Sequence, residues 1–426
     1  MMGALSPETR EYPIMGELSG HQQEPCLAFG TKGGFMVWHH DLGKEAHSGR
    51  LVVQSLNGGM VGMGLPAPLS QSPEGTREAR PRIALLVDGG AVIAWETGPR
   101  DSRDVLVRFV SSSGLFTTAT ITANTRVQGD QFQPTVAVLA AGGVVVAWTS
   151  TKQDSSGNGV YAQRFTPAGA KVGPEFLVND SIKWNQGEPS LAPMSDGRFV
   201  AVWVSESING QTDHGAPNLR GNLMGRLFLA NGQPVAGGYR INHFDAICSR
   251  PTAYSLDDGF VVVWEQQDEK VMSNQADIYV RSFNKNGVPL AQEARWNALV
   301  AGVQGRPVLA ISKGDGLLVW ECEVKATHGR EVHARMLSGG AEFRVNKKVR
   351  YHQQQPVVTA DANGNFLVVW VDFVEPRNSV LTAVQFSMSD RADVTSGAHV
   401  SYEGAGAGAL VLSAKKSVPT DMVGEE

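Results

Sequence analysis

Charged residues recur at fixed places beside a repeated proline and a repeated tryptophan. Arginine precedes the proline in three repeats, and glutamate follows the tryptophan in the same three and in no others. Residues that face each other in an antiparallel pair of strands can form an ion pair. The co-occurrence therefore predicts three structural ion pairs: Arg80–Glu96, Arg250–Glu265 and Arg306–Glu321. The alternative is a ring of charges that binds an anion or a sugar.

Glu24 and Glu188 also precede a repeated proline, but neither has an arginine to pair with at the matching position. Two carboxylates are the groups with which most glycosidases cleave a sugar bond. A catalytic group usually needs a unique partner, whereas these residues occupy a repeated position. We therefore expect no catalytic residue and no enzyme, and retain Glu24 and Glu188 as binding candidates.

His39, His40 and Asp41 follow the first repeated tryptophan. Imidazole and carboxylate groups bind transition metals. Adjacent side chains on a strand point to opposite sides, however, and the chain has no HExxH spacing. We expect a solvated loop with no metal and no cofactor, and keep the three residues as binding candidates.

Trp184 lies outside the tryptophan repeat. An exposed aromatic ring could stack on a sugar or anchor a protein partner. Trp184 is therefore the remaining binding candidate.

The repeat that positions these residues is visible in the sequence. Tryptophan ends an apolar run seven times, at intervals of 50 to 61 residues, and a proline lies 13 or 14 residues before each one. Each unit reads as four strands: one after the proline, a second that ends in tryptophan, a third such as GVYAQRF and a fourth such as EFLVN. Glycine turns separate the strands of each hairpin.

Four strands in a unit of about 50 residues predict an all-β fold, a seven-bladed β-propeller of four-stranded blades. A stacked solenoid is the alternative. We assign residues 21–402 to the propeller, residues 1–20 to an N-terminal segment that supplies a ring-closing strand, and residues 403–426 to a Gly/Ala-rich tail. Residues 398–402 could fill the place of the closing strand instead.

The repeats resemble those of large bacterial surface and RTX-type proteins, which share the pattern FVVVW…VYAQRF…EFxVN. The third repeat carries the best copy, and the likeness spans roughly residues 11–402. The resemblance implies an adhesive or interaction scaffold. The chain departs from RTX-type proteins in having no array of calcium-binding nonapeptides.

Composition excludes several classes of protein. The 426 residues carry a net charge of −5, so no basic excess indicates a nucleic-acid partner. No apolar run is long enough to span a membrane, and the first 20 residues lack the pattern of a Sec signal. The three cysteines are odd in number and form no CxxC motif, which excludes a disulfide scaffold.

These observations favour a non-catalytic scaffold for recognition or assembly. We expect it to be an exposed part of a larger particle, such as a phage virion or tail, or of a bacterial surface structure. Its partners would be proteins of that assembly or a cell-surface glycan. We expect an extracellular or virion-associated location, with a cytoplasmic one left open. A glycan-binding, lectin-like propeller is the alternative, and a glycosidase or lyase is less favoured.

Overall fold

The computed structural model describes residues 5–16, 18–41, 49–73, 76–211, 217–267, 274–324, 329–375 and 378–388. The regular elements in these ranges are strands. No helix in the described ranges is long and apolar enough to cross a membrane.

The strands are short and follow one another through tight turns. In the first half of the chain they are β1 (Leu5–Pro7), β2 (Tyr12–Pro13), β3 (His21–Gly30), β4 (Gly33–Asp41), β5 (Arg50–Leu56), β6 (Gly62–Pro68), β7 (Glu78–Leu85), β8 (Ala91–Thr97), β9 (Asp104–Val110), β10 (Ile121–Thr122), β11 (Gln131–Val138), β12 (Val144–Thr151), β13 (Asn158–Phe165) and β14 (Lys171–Leu177). In the second half they are β15 (Gln186–Pro193), β16 (Phe199–Gln211), β17 (Pro217–Phe228), β18 (Tyr239–Arg240), β19 (Cys248–Leu256), β20 (Gly259–Gln266), β21 (Asn274–Asn284), β22 (Ala294–Arg295), β23 (Gly302–Ser312), β24 (Asp315–Val324), β25 (Gly329–Met336), β26 (Gly339–Arg344), β27 (Gln353–Ala360), β28 (Asn365–Glu375) and β29 (Asn378–Met388).

Consecutive strands pair antiparallel in sheets of four. Three such sheets stand alone, with the strand orders β10-β9-β8-β7, β11-β12-β13-β14 and β15-β16-β17-β18. The other strands belong to an eight-stranded and a nine-stranded sheet. Each of these larger sheets contains one short parallel contact, between β21 and β23 in the first and between β29 and β3 in the second.

The strand that carries the repeated proline lies innermost in each group of four. Each inner strand contacts the inner strand of the next group, and the last contacts the first. In contact order these strands are β3, β7, β11, β15, β19, β23 and β27, which returns to β3. Four-stranded sheets arranged around a ring of inner strands are the architecture of a β-propeller.

Every repeated tryptophan is buried between neighbouring sheets, with at most 1% of its surface exposed. Trp148 of β12, for example, packs in one cluster with Val92 and Val105 of the preceding sheet. Contacts of this kind bury large apolar surfaces where two sheets meet, and they hold adjacent sheets together.

The N-terminal segment lies on the sheet formed by the last strands. Tyr12 of β2 pairs with Ala383 of β29, and Leu5 of β1 pairs with Met388. Residues 398–402, the alternative closing strand, and the predicted tail at 403–426 lie outside the described residues.

Each inner strand contains a bulge at the residue before its proline. These residues adopt φ angles between +49° and +55°, in the left-handed region, and the pairing register shifts beside each of them. A left-handed conformation costs about 1–2 kcal/mol for a residue with a side chain. The surrounding contacts must therefore stabilise the same local conformation at every repeat.

Candidate functional site at the mouth of the ring

The bulges are linked by a cycle of hydrogen bonds at one end of the inner strands, here called the mouth. The backbone N–H of each bulge residue donates to a side-chain oxygen of the preceding repeat. The donor and acceptor pairs are Glu24 to Gln355 (2.6 Å), Arg80 to Glu24 (2.6 Å), Gln133 to Glu96 (3.0 Å), Glu188 to Gln133 (3.2 Å), Arg250 to Glu188 (2.6 Å), Arg306 to Glu265 (2.5 Å) and Gln355 to Glu321 (2.6 Å).

This cycle explains why arginine before proline occurs with glutamate after tryptophan. Where the bulge residue is Glu or Gln, its own side chain accepts the next N–H. An arginine has no acceptor atom. In those three repeats the glutamate after the tryptophan accepts the next N–H instead.

The structure also places the three arginines beside the glutamates with which the sequence pairs them. The nitrogen–oxygen distances are 3.7 Å for Arg80–Glu96, 2.8 Å for Arg250–Glu265 and 3.2 Å for Arg306–Glu321. The arginine side chains are 42–51% exposed, whereas the glutamate side chains are 1–8% exposed. The carboxylates are therefore buried under guanidinium groups that remain in contact with solvent.

Further partners saturate these three carboxylates, which we call the closed carboxylates. Arg103 lies 3.5 Å from Glu96, and Arg330 lies 3.1 Å from Glu321. Ser249 donates its hydroxyl to Glu265 at 3.3 Å. Sequence reasoning missed Arg103, which directly precedes β9, and Arg330 of β25, because both follow loops of variable length. The closed carboxylates have a structural role.

Glu24 and Glu188 differ from the closed carboxylates. Each is half-buried, and its Oε2 accepts one backbone N–H, from Arg80 and Arg250 respectively. In the described part of the chain, Oε1 of neither residue makes a hydrogen bond or an ion pair. We call Glu24 and Glu188 the open carboxylates, because each has an oxygen available to a ligand.

The electrostatic environment of the mouth is set by closely spaced charges of both signs. Burial opposes the charge of Arg250, but the carboxylates of Glu265, Glu188 and Glu321 raise its pKa. Burial lowers the pKa of Arg306, and the neighbouring charges of Arg250 and Arg330 act in the same direction. Arginine remains charged at neutral pH in either case. The mouth thus offers both carboxylate acceptors and guanidinium donors.

His39 directly follows the repeated tryptophan, which is the position that the closed carboxylates occupy in other repeats. His40 and Asp41 come after it on β4. The ring of His39 packs on Gly49, where an added Cβ would lie 2.0 Å from Cε1. Burial lowers the pKa of His40, and His39 adds to this effect. Among the described residues, no group of three His, Cys, Asp or Glu side chains could hold a metal ion.

Trp184 precedes β15, the strand that carries Glu188. Trp184 is 51% exposed, and its backbone has a φ of +62°. Asn185 fixes the adjacent backbone by donating to Glu206 at 2.6 Å and accepting from the N–H of Asn158 at 3.0 Å. The four residue-to-residue steps from Trp184 to Glu188 span about 13 Å if the chain is extended. An exposed indole and an open carboxylate therefore lie on one stretch of chain.

Comparison with known proteins identifies similar folds. No family model matches the chain, and no curated protein matches it. A protein of unknown function from Dyadobacter fermentans is 12% identical, with a TM-score of 0.50 over 74% of this chain and 95% of that one. An α-L-arabinanase from Penicillium chrysogenum is 12% identical, with a TM-score of 0.49 over 91% and 97% of the two chains. A GH93 α-L-arabinofuranosidase from Fusarium graminearum is 9% identical, with a TM-score of 0.46 over 90% and 96%.

These matches contradict the prediction of a non-catalytic scaffold and the prediction that the protein is no enzyme. The similar structures whose activity is stated are glycoside hydrolases. Adhesive, structural and virion-associated roles receive no support from them. At such low identity the likeness concerns the fold and assigns no substrate to this chain. The resemblance to bacterial surface repeats stays a prediction.

The carboxylates at the mouth explain why the prediction of a non-catalytic scaffold was wrong. The expectation of no catalytic residue rested on the repetition of these positions, and Glu24 and Glu188 were kept only as binding candidates. In the structure the repeated position is not uniform, because three carboxylates are saturated by arginines and two are not. A repeated scaffold can therefore present a small number of unique groups.

Proposed function

We propose that the protein is a glycoside-processing enzyme built on a seven-bladed β-propeller, with its glycan bound at the mouth. The observation that carries this proposal is the presence of two open carboxylates in a cycle whose other three carboxylates are closed. The blade count follows if the two large sheets are divided at their short parallel contacts. Seven bulges and seven inner strands in contact around the ring support that division.

Glu24 and Glu188 would supply the acid and base chemistry. Glycoside hydrolysis generally needs one carboxylic acid that protonates the leaving oxygen and one carboxylate that acts as nucleophile or activates water. Each open carboxylate is oriented by a 2.6 Å hydrogen bond to Oε2, from the N–H of Arg80 or of Arg250. Such a bond fixes the carboxyl group and leaves Oε1 available, which is the arrangement that positioned catalysis requires.

Trp184 would extend the site along the glycan. The face of a sugar ring is apolar enough to stack on an aromatic side chain, and Trp184 is 51% exposed. Because Trp184 leads into the strand that holds Glu188, a bound chain of sugars could contact both. The guanidinium groups of Arg80, Arg250 and Arg306 would donate hydrogen bonds to its hydroxyl groups.

The test uses variants that preserve the cycle. Gln133 and Gln355 already accept the bulge N–H through an amide oxygen, so Glu24→Gln and Glu188→Gln should keep the fold. We expect turnover to fall by about 100-fold or more in each variant, as is usual when a general acid or base is removed. The assay is a panel of aryl glycosides and polysaccharides that includes arabinan and acidic glycans.

Glu293→Gln is the matched control. Glu293 is half-buried and accepts a single backbone N–H, from His243, but it lies beside the outer strand β22 and away from the mouth. Its replacement should leave turnover unchanged. If the wild-type protein hydrolyses none of the panel, or if both mouth variants retain full activity, the proposal is wrong.

A further inference from the structure

The side chains of the seven bulge residues follow a pattern around the mouth. Taken in ring order, glutamine, glutamate and arginine succeed one another twice, and one arginine remains. We call these two sets the mouth triads. They are Gln133–Glu188–Arg250 and Gln355–Glu24–Arg80, with Arg306 as the remaining residue. Each open carboxylate therefore lies between a glutamine of the preceding repeat and an arginine of the following one.

Hydrogen bonds join the members of each triad. In the first triad, the N–H of Glu188 donates to Oε1 of Gln133 at 3.2 Å, and the N–H of Arg250 donates to Oε2 of Glu188 at 2.6 Å. In the second triad the two corresponding distances are both 2.6 Å. The same three residue types are thus held side by side in the same way at two places on the mouth.

These bonds fix the orientation of the glutamine amides. Because an N–H group needs an acceptor, Oε1 of Gln133 and of Gln355 must face the cycle, and Nε2 occupies the other side of the amide. In the part of the chain that the structure describes, Nε2 of neither glutamine makes a hydrogen bond, and neither nitrogen is buried. Each amide therefore has two N–H groups available to a ligand.

Each triad combines hydrogen-bond donors with an acceptor at the edge of the solvent. The glutamine amide and the arginine guanidinium donate, and Oε1 of the open carboxylate accepts. The side chains of Arg80 and Arg250 are 42% and 51% exposed. A sugar hydroxyl both donates and accepts, so such a mixed set of groups matches it. One carboxylate and one guanidinium leave each triad without net charge, which favours a neutral sugar over an acidic one.

The two triads differ in what surrounds the glutamine. The hydroxyl of Thr149 donates to Oε1 of Gln133 at 2.9 Å, whereas the second triad has a valine at the equivalent position. Five places before its proline the first triad has Trp184, and the second has a glycine. An amide that is already held by two partners loses less freedom when it binds a ligand. We therefore expect the first triad to bind more strongly than the second.

We propose that each mouth triad is a subsite for one sugar ring of a neutral glycan, in which the glutamine amide donates to a hydroxyl group beside the open carboxylate. This inference rests on the proposed glycan site at the mouth and adds the class of its substrate. It makes Gln133 and Gln355 residues that contact the sugar and determine specificity, in addition to their part in the cycle.

The variants Gln133→Glu and Gln355→Glu separate these two roles. A glutamate at this position still accepts the bulge N–H, as Glu24 and Glu188 do, so the fold should be kept. It has no N–H to offer a ligand, because an ionised carboxylate only accepts hydrogen bonds. Thermal unfolding of each variant verifies that the cycle is intact.

The experiment is calorimetric titration of the full-length protein with arabinobiose, cellobiose and digalacturonate at pH 7. The neutral disaccharide that the wild type binds best should bind about tenfold more weakly to Gln133→Glu and about fivefold more weakly to Gln355→Glu. Gln354→Glu is the matched control. It adds the same charge at a half-buried neighbour on the same strand, and should bind as the wild type does.

The outcomes distinguish this inference from the proposed activity. Unchanged affinity in both glutamine variants, absence of saturable binding by the wild type, or a preference for digalacturonate would overturn the inference. Binding that depends on the glutamines, in a protein that hydrolyses no glycan, would support the subsites and contradict the proposed hydrolase. Turnover at the wild-type KM in both glutamine variants would support the hydrolase and contradict the subsites.

Discussion

The backbone N–H of Glu24 donates to Oε1 of Gln355 at 2.6 Å, although the two residues are 331 positions apart in the chain. The bond links the first inner strand to the last. It is one member of a cycle in which every bulge N–H is satisfied by the preceding repeat, and it is the member that joins the two ends of the repeat array.

Removal of this acceptor should destabilise the protein. Gln355→Ala leaves the N–H of Glu24 without its partner, and an unsatisfied buried donor costs about 1–3 kcal/mol. We expect the free energy of unfolding in urea to fall by about that amount. Gln354→Ala, at a half-buried neighbour to which the structure gives no side-chain hydrogen bond among the described residues, is the control. Equal losses in the two variants would show that the bond contributes nothing specific.

The closed ion pairs should respond asymmetrically to substitution. Glu321 is 5% exposed and accepts from Arg306, Arg330 and the N–H of Gln355, so Glu321→Ala leaves several donors unpaired. Breaking a buried pair from this side costs about 3–5 kcal/mol. The Arg306 side chain is 43% exposed, and Arg306→Ala should cost at most about 1 kcal/mol.

Equilibrium unfolding in urea measures this difference. Glu321→Gln serves as an intermediate variant, because its amide oxygen can still accept the N–H of Gln355 while its charge is lost. We expect the free energy of unfolding to fall most in Glu321→Ala, less in Glu321→Gln and least in Arg306→Ala. An Arg306→Ala loss as large as that of Glu321→Ala would contradict the burial argument.

His333 should make stability depend on pH above neutrality. Burial opposes its charge, but hydrogen bonds to Cys322 and to Glu342, the latter at 2.7 Å, raise its pKa to about 10. A raised pKa means that the folded state binds the proton more tightly than the unfolded chain, whose histidine has a pKa near 6.5. The stabilisation is therefore complete below pH 6.5 and is lost as the pH rises towards 10.

Urea unfolding at intervals between pH 6 and 10 tests this expectation, in the range set by the two pKa values. His333→Gln should be less stable than the wild type near neutral pH, and the difference should shrink as the pH rises. His243→Gln, at an exposed position, controls for loss of a histidine. A constant difference across the range would show that protonation of His333 does not stabilise the fold.

The inner two strands of each unit could be predicted from the sequence, because the repeated tryptophan marks a buried position on the second strand. The regular interval from proline to tryptophan identified the first two strands of each unit. It also paired Arg306 with Glu321, since the two lie on adjacent strands of one hairpin.

What the sequence could not provide are contacts that cross between repeats. The bond from the N–H of Gln355 to Glu321 depends on a left-handed backbone that proline disfavours in the residue before it. Within a repeat, the sequence also missed the contacts of Arg103 with Glu96 and of Arg330 with Glu321, because loops of different length precede these arginines. The sequence set Glu24 and Glu188 apart because they lack an arginine at the matching position, but only the structure shows that Oε2 of each accepts one backbone N–H.

The return of the N-terminal strands to β29 has a consequence for synthesis on the ribosome. β1 and β2 are synthesised long before their partner β29, which is completed only at Met388. Individual hairpins can form as they are made, whereas closure must await the synthesis of β29. Until then the first and last sheets expose apolar faces, and a nascent chain halted midway should be a strong client for chaperones.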